Sequence, residues 1–371
     1  MILIINIYGM KGACIVIENF QANGLPALIG SLPMDNHAEA VKLVFRYTPE
    51  IPSWVQLPVY KEEGMIAQFL PGLPGLVVEK ERAYIDTGAG GFGEDLLKFY
   101  EDYMAVLEGG GDLSGSRFVL TEDTAGGFFE FTKQLKAVSV PPVAVKGQIT
   151  GPVTFCTGMN DQDGKAIFHD EQIRDAAVKL LALKARWQVR ELSKFGVPVI
   201  IFFDEPALAG FGSSAFISIS SDEVEKCFEE VIEAVHSEGG IAGIHVCANS
   251  DWSLVLGSSA DIVNFDAYSF FDRFILYADH IKKFMESGRI FAWGIVPTSK
   301  AEDVEKETVD SLVIKWEDKV RDLEALGFDR SRILSQSLIT PSCGTGSLSL
   351  ENATKVLRLT REVSDRLRRK I

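Results

Sequence analysis

The chain alternates short apolar runs with longer segments in which apolar residues recur at helical spacing. Eight of the short runs are rich in β-branched or aromatic residues, and each predicts a strand. They span residues 27–31, 53–57, 143–149, 197–204, 241–247, 261–266, 290–295 and 333–338. Eight strands that alternate with helices are typical of a single (β/α)8 TIM barrel, the α/β fold that we predict. A doubly wound open sheet is the alternative.

Signals for helix ends support this alternation. A long helical segment ends at Gly196, where a C-cap glycine is expected. The next helical segment opens on Ser220 or Ser221, either of which can serve as its N-cap. Both signals lie between predicted strands, as the barrel requires.

The interval 70–140 is too long for a single crossover between strands. Within it, residues 75–87 predict a hairpin and residues 95–108 predict a helix. We therefore predict a barrel over residues 26–371 with an insertion at about 70–140, after the second strand. Residues 1–25 are predicted to form an N-terminal extension with an edge strand or hairpin, unless the start site is not the native one.

Charge and cysteine content limit the classes of partner. A net charge of −15 argues against a nucleic-acid binder, because phosphate contacts need clustered basic residues. The basic run at 366–370 is typical of the end of a last helix. Five scattered cysteines make no disulfide framework and favour a reducing cytoplasm. The apolar N-terminus is broken by glycines and a lysine, so we expect no membrane span.

Polar and metal-binding side chains collect where the predicted strands end. In strand order these positions are Ser31, residues 146–150, Asp204 and Glu205, His245 and Cys247, Asp266, Thr298 and Cys343. Enzymes with this fold carry their active sites at the C-terminal ends of the strands. The sequence therefore predicts one site on this rim.

His245 and Cys247 are two residues apart, so on a strand they share a face. Cys343 lies in a glycine-rich loop after the eighth predicted strand and is the best third ligand. Three ligands with thiolates suit catalytic zinc, which keeps one position open, better than magnesium or calcium. Core packing of these residues is the alternative.

Two carboxylates, Asp204 and Glu205, follow a buried strand, and burying them is costly unless they are hydrogen-bonded or functional. We predict that both are catalytic; the alternative is that one caps the next helix. Ser31 is either a substrate-binding residue or an N-cap. Lys146 is interpreted as a paired lysine of the barrel interior. The glycine-rich stretches 90–97 and 108–116 lack the Lys-Ser/Thr of a phosphate-binding loop.

Six motifs, taken together, resemble the C-terminal catalytic barrel of the cobalamin-independent methionine synthase family, within the uroporphyrinogen decarboxylase and methionine synthase superfamily. They are "LIGSLP" (28–33), "VKGQITGPVTF" (145–155), "FFDEPAL" (202–208), "IHVC" (244–247), "DIVNFD" (261–266) and "PSCGTGS" (341–347). The resemblance runs from about residue 26 to the C-terminus. It implies a zinc-dependent methyltransferase.

The resemblance also implies roles for single residues. Zinc would be held by His245, Cys247 and Cys343, and Asp266 stands where the family has a fourth ligand, a glutamate. Ser31 would bind the carboxylate of homocysteine, and Asp204 would bind its ammonium group.

Three departures concern folate, the methyl donor of the family. The 371 residues leave no room for the family's second, N-terminal barrel. The tryptophan after the Thr-Gly-Pro-Val-Thr motif is replaced by "FCTGMN", and the histidine-bearing loop after strand seven is replaced by "GIVPTSKAED". These changes indicate a different donor, and a methylcorrinoid such as methylcobalamin, free or on a carrier protein, is the leading candidate.

The expected function is therefore methyl transfer to a zinc-bound thiol, with homocysteine giving methionine. The alternatives are methylation of another thiol such as coenzyme M, a uroporphyrinogen decarboxylase-like lyase, and a non-enzymatic partner of a corrinoid protein. A sulfonate acceptor would require Lys or Arg at the site, and the lyase would require arginines near the first strand end. Only Arg46 and Arg82 occur in the first hundred residues, and neither ends a predicted strand.

Overall fold

A curled, parallel sheet of seven strands, flanked by helices, forms the centre of the protein in this computed structural model. The structure describes residues 20–79, 82–108, 112–211, 216 and 218–369. The strands are β1 (Leu25–Pro26), β2 (Leu76–Glu79), β3 (Arg82–Ile85), β4 (Val145–Thr150), β5 (Val199–Asp204), β6 (Ile241–Val246), β7 (Ile262–Phe265), β8 (Ile290–Val296) and β9 (Ser337–Pro341). The order in the main sheet is β1-β9-β8-β7-β6-β5-β4, and β2 and β3 form a separate antiparallel pair.

Helices follow the strands along the chain. They are α1 (His37–Tyr47), α2 (Phe92–Glu108), α3 (Glu122–Leu135), α4 (Pro152–Gly158), α5 (Glu171–Ser193), α6 (Ser221–His236), α7 (Trp252–Gly257), α8 (Ala267–Phe274), α9 (Ala278–Glu286), α10 (Ala301–Lys306), α11 (Val309–Ala325), α12 (Arg330–Ser335) and α13 (Leu350–Arg368). Gly196, with φ of +72°, follows α5, and the Ser220 side chain caps α6, so both predicted helix ends are confirmed. None of the described helices is long and apolar enough to cross a bilayer.

The two faces of each central strand contact different surroundings. Ile200 and Phe202 of β5 belong to an interior cluster with the isoleucines at 241, 262 and 290, whereas Ile201 and Phe203 pack in the larger core that includes the helices. Because side chains alternate along a strand, Asp204 continues the inward-facing series. The same alternation carries His245 inward from Ile241. The strand ends thus direct polar side chains to the interior.

The predicted first and eighth strands are wrong in their bounds. The first strand of the main sheet is Leu25–Pro26 and not 27–31. The predicted strand 333–338 covers the end of α12 and only the start of β9. Asp329 caps α12 through the Arg332 backbone N–H at 2.8 Å, which favours helix over strand at this apolar run. A short apolar run by itself does not distinguish the two.

The predicted second strand, 53–57, forms isolated bridges instead of a regular strand. Ser53 bridges Lys146 of β4, and Gln56 bridges Ser31, which follows β1, both in parallel. The Gln56 backbone N–H donates to the Gly30 carbonyl at 3.1 Å. This segment therefore bonds to β4 and to the chain that follows β1, whereas the closed eight-stranded barrel stays a prediction.

The predicted hairpin and helix of the interval 70–140 correspond to β2, β3 and α2. The assignment of this interval as an insertion stays a prediction. The start of the barrel domain at residue 26 also stays a prediction. Residues 1–19 of the predicted N-terminal extension lie outside the described residues. Phe20, with 1% of its surface exposed, packs in the interior cluster.

Gln188 of α5 joins the segment 53–57 to β4. Its buried amide accepts a hydrogen bond from the Trp54 indole N–H at 3.0 Å and donates to the Gln148 carbonyl at 3.1 Å. We expect Gln188→Leu to lower the free energy of unfolding by about 2 kcal/mol, because the buried indole N–H loses its acceptor. Urea denaturation measures this loss. Gln172→Leu, at an exposed position of the same helix, is the control, and equal stability of the two variants would contradict the assignment.

Candidate metal centre

His245, Cys247 and Cys343 form a compact group at the C-terminal ends of the strands. A ring nitrogen of His245 and the two Sγ atoms all lie within 4.8 Å of one another. His245 is buried in β6, Cys247 follows that strand, and Cys343 lies two residues beyond β9. Among the described residues this is the only cluster of three or more potential metal ligands of this kind. The structure thus brings together the three residues predicted as zinc ligands.

Asn264 of β7 fixes the orientation of the His245 ring. Its amide nitrogen donates to the Ala292 carbonyl at 2.9 Å and to Thr340 Oγ1 at 2.7 Å, which points its oxygen at His245 Nδ1. His245 Nδ1 donates to that oxygen, so Nε2 carries the lone pair. Nε2 is buried and has no hydrogen-bond partner among the described residues. Metal-binding histidines are oriented in this way by a partner on the second ring nitrogen.

The two thiols lie close enough to interact. Interaction with Cys343 lowers the pKa of Cys247 well below its ordinary value, with His245 acting in the same direction. The same interaction raises the pKa of Cys343. A thiolate next to a buried imidazole with a free lone pair is a donor set that suits zinc. The residues present therefore fit the metal.

Asp204, at the end of β5, is buried beside this group. Burial raises the pKa of its carboxyl to about 6, while nearby His245 and Lys146 lower it. Its Oδ1 atom has no hydrogen-bond partner among the described residues. A buried polar atom without a partner costs free energy, so Asp204 is a candidate for binding a ligand.

Lys146 is a lysine of the sheet interior, in agreement with its interpretation from the sequence. Its Nζ donates to the Ile29 carbonyl at 2.7 Å and to Gln148 Oε1 at 3.3 Å, and it lies 4.7 Å from the centre of the Phe202 ring. Burial lowers its pKa to about 8. Its hydrogen bonds join the chain after β1 to β4.

Glu205 is tied to the start of α4. Its carboxylate accepts hydrogen bonds from the Val153 N–H at 2.9 Å, the Thr154 N–H at 2.7 Å and Thr154 Oγ1 at 2.6 Å. Burial raises its pKa to about 7, and the three donors oppose that shift. A Cβ atom at Gly151 would collide with this carboxylate, so the chain needs glycine there. These are the contacts of a helix cap, and a catalytic role for Glu205 stays a prediction.

Asp266 also caps a helix. Its Oδ1 accepts from the Ser269 N–H at 2.8 Å at the start of α8, and burial raises its pKa. Its carboxylate is not part of the group of ligand atoms formed by His245 and the two cysteines. Asp266 as a fourth metal ligand therefore stays a prediction.

Ser31 lies against the glycine-rich loop that carries Cys343. Its Oγ accepts from the Gly346 N–H at 3.2 Å, and its carbonyl accepts from the Thr345 N–H at 3.0 Å. A Cβ at Gly344 would collide with Ser31 Oγ, so this loop can approach only with glycine at that position. Asn36, not Ser31, caps α1, which makes the N-cap interpretation of Ser31 wrong.

One cavity of about 260 Å³ joins these residues. Ser31, Asp204, His245, Cys247 and Cys343 all line it. The sequence did not indicate the other wall, which is formed by Gln56, Pro58, Glu63, Gly64 and Met65. This wall is the loop after the segment 53–57, and its position after a predicted strand is the signal that could have identified it.

The charged side chains of the cavity lining are acidic. Among the described residues they are the carboxylates of Asp204 and Glu63, without any Lys or Arg. Such a lining favours a ligand that carries a positive charge.

The comparisons with known proteins agree with the fold. The structure is similar to a B12-independent methionine synthase from Shewanella sp. W3-18-1, solved in complex with selenomethionine, with a TM-score of 0.55 and 16% identity over 93% of this chain and 98% of that one. It is less similar to a pneumococcal exo-β-D-N-acetylglucosaminidase, with a TM-score of 0.45 and 9% identity over 93% and 85% of the two chains. No protein-family model and no curated protein matches the sequence. The first likeness shows a TIM-barrel-like fold alone.

Removing the Asn264 side chain tests the metal centre. We expect Asn264→Ala to weaken zinc binding about 10- to 100-fold, because the His245 ring loses the partner that orients it. Competition with a chromogenic chelator measures the affinity. Asn352→Ala, in α13 and outside the lining of the cavity, is the control. Unchanged zinc affinity in Asn264→Ala would show that His245 is not a metal ligand.

Proposed function

We propose that the protein is a zinc-dependent methyltransferase that methylates the thiol of homocysteine to give methionine. The observation that carries this proposal is a single cavity lined by the group of His245, Cys247 and Cys343 and by the unpartnered carboxylate of Asp204. The sequence resemblance to methionine synthases and the TIM-barrel-like fold support it. The reducing compartment expected from the cysteines is the cytoplasm.

His245, Cys247 and Cys343 would hold the metal through one nitrogen and two sulfur atoms. Bound there, zinc would lower the pKa of a substrate thiol so that the thiolate is present at neutral pH. Asn264 binds Nδ1 of His245, which leaves Nε2 on the opposite side of the ring available to the metal.

The acidic cavity favours an amino-acid thiol as methyl acceptor. The unpartnered Oδ1 of Asp204 suits the ammonium group of homocysteine. Ser31 Oγ already accepts from the Gly346 N–H, so its own hydroxyl hydrogen is available to the substrate carboxylate. The similar methionine synthase was solved with selenomethionine, an amino acid of the same shape as methionine.

The same lining disfavours the alternative substrates. The sulfonate of coenzyme M and the several carboxylates of a uroporphyrinogen need cationic partners, and the described lining of the cavity offers none. A purely structural zinc site would need four closed ligands, whereas three ligand atoms are grouped in the cavity.

The methyl donor in this proposal is a methylcorrinoid, free or on a carrier protein. The sequence lacks the tryptophan and the histidine-bearing loop that the resembling family uses for folate. In place of that loop, the Thr298 hydroxyl lies 3.0 Å from Ser342 Oγ, and the Thr298 side chain is buried. A methyl group on cobalt needs less acid assistance than one on the nitrogen of folate, so this loop need not carry a proton donor.

A comparison of two acceptors tests the role of Asp204. With zinc and methylcobalamin, we expect homocysteine to be methylated with a kcat/KM about 10- to 100-fold above that of 4-mercaptobutyrate, which lacks the amino group. Asp204→Asn should remove most of this preference, because the charge that selects the ammonium is lost. Product analysis by mass spectrometry gives the rates.

Asp272→Asn, on the exposed surface of α8, is the matched control and should keep the preference. Methylation of coenzyme M in preference to homocysteine would contradict the proposed acceptor. An absence of methyl transfer to any thiol from methylcobalamin would contradict the proposed donor.

A further inference from the structure

Two cavities lie on either side of one hydrogen-bonded pair, His37 and Glu63. Glu63 lines the inner cavity of about 260 Å³ that also contains the metal centre. His37 lines an open outer cavity of about 590 Å³. His37 Nε2 and Glu63 Oε1 are 2.6 Å apart, so the pair joins the inner cavity to the protein surface.

The pair is held in a fixed geometry. Glu63, whose side chain is 4% exposed, accepts a second hydrogen bond from the Leu57 N–H at 2.8 Å through Oε2. The His37 ring stacks on Tyr60 at 5.3 Å between centroids with an interplanar angle of 14°. On the side of α3, a Cβ at Gly126 would lie 3.1 Å from His37 Cε1 and 3.4 Å from Glu63 Oε1. The glycine therefore lets α3 pack directly against the pair.

The two members of the pair differ in their access to water. The His37 side chain is 25% exposed, whereas Glu63 is nearly completely buried. The outer cavity around His37 is lined by the carboxylates of Asp35, Glu122 and Glu130 together with Lys133.

Methylation of a thiol requires an exit for its proton. Glu63 and Asp204 are the two carboxylates that line the inner cavity in the described part of the chain, and Asp204 is assigned to the substrate ammonium. We propose that Glu63 and His37 form a relay that carries the thiol proton from the inner cavity to solvent. This inference rests on the proposed function, since that function supplies the thiol.

The transfer conserves atoms and charge. The S–H bond of the substrate breaks, the electron pair stays on sulfur, and the proton passes through cavity water to the Glu63 carboxylate. As this proton arrives, the proton that Glu63 shares with Nε2 of His37 moves fully onto the ring, and the ring releases its other proton, on Nδ1, to solvent. The inner cavity of about 260 Å³ has room for such water, since one molecule takes up about 30 Å³.

Proton release on substrate binding tests the relay. Zinc-loaded protein is mixed with L-homocysteine in weakly buffered pH indicator by stopped flow. In His37→Gln the amide still donates to Glu63 but cannot carry a proton, so we expect release to slow by at least about tenfold with the same final amount. Added imidazole should restore the rate. His280→Gln, a partly buried histidine on α9, is the control and should release protons at the wild-type rate.

Each other outcome overturns the relay. An unchanged rate in His37→Gln means that the proton leaves by another path, and a slow rate that imidazole does not restore means that His37 only supports the loop. Proton release by wild-type protein that accelerates several-fold with added imidazole would also overturn it, and this measurement needs no variant. If wild-type protein binds the thiol without releasing a proton, the proposed function fails as well.

A measurement on metal-free protein is independent of activity. The proton between His37 Nε2 and Glu63 Oε1 should exchange slowly with water in NMR spectra of the wild type, and this protection should disappear in Glu63→Gln. A fast-exchanging proton in the wild type would contradict the hydrogen-bonded pair on which the relay depends.

Discussion

The register of the parallel strands β5, β6, β7 and β8 is the constraint on which the site depends. Asp204 pairs with His245, His245 with Asn264, and Asn264 with Ala292, so one layer across four strands carries the acid, the imidazole and the amide that orients it. A slip of one residue in any strand would turn its side chain to the other face. The large apolar residues that alternate with these polar ones prevent such a slip, since they are buried on both faces of the sheet.

Buried polar groups in the sheet fall into two kinds. Lys146 and Glu205 have their hydrogen bonds satisfied by neighbouring segments, and they stabilise the fold. His245 Nε2 and Asp204 Oδ1 are buried and have no hydrogen-bond partner among the described residues. Native proteins leave few such groups unpaired, and these two belong to residues that line the same cavity, where a ligand can supply the missing contacts.

The sequence was sufficient to predict the central strands and the three grouped ligands. From β4 to β8 the apolar runs are long and bounded by polar residues, so their faces and their ends can be read directly. The inward direction of His245 and Cys247 follows from the period of two. The last strand was predicted too early in the chain, because the apolar residues Ile333 and Leu334 belong to the buried face of α12.

Other parts of the site depend on contacts between distant segments and could not be predicted. Asn264 lies within the motif "DIVNFD", but its contact with the His245 ring follows only from the pairing of β7 with β6 and β8. Glu63 lies in a short 3-10 helix, Lys61–Glu63, that the hydrophobic pattern did not indicate, and its partner His37 comes from α1. The helix caps formed by Glu205 and Asp266 could not be assigned from the sequence either. A carboxylate that follows a strand gives the same sequence pattern whether it caps a helix or binds a ligand.

X-ray absorption at the zinc edge tests the central claim most directly. Protein prepared under reducing conditions and loaded with zinc is measured before and after addition of homocysteine. We predict one zinc per chain with one nitrogen and two sulfur ligands, and a third sulfur ligand when homocysteine binds. A sulfur coordination that does not change with homocysteine, or protein that binds no zinc, would contradict a thiol-activating metal centre at His245, Cys247 and Cys343.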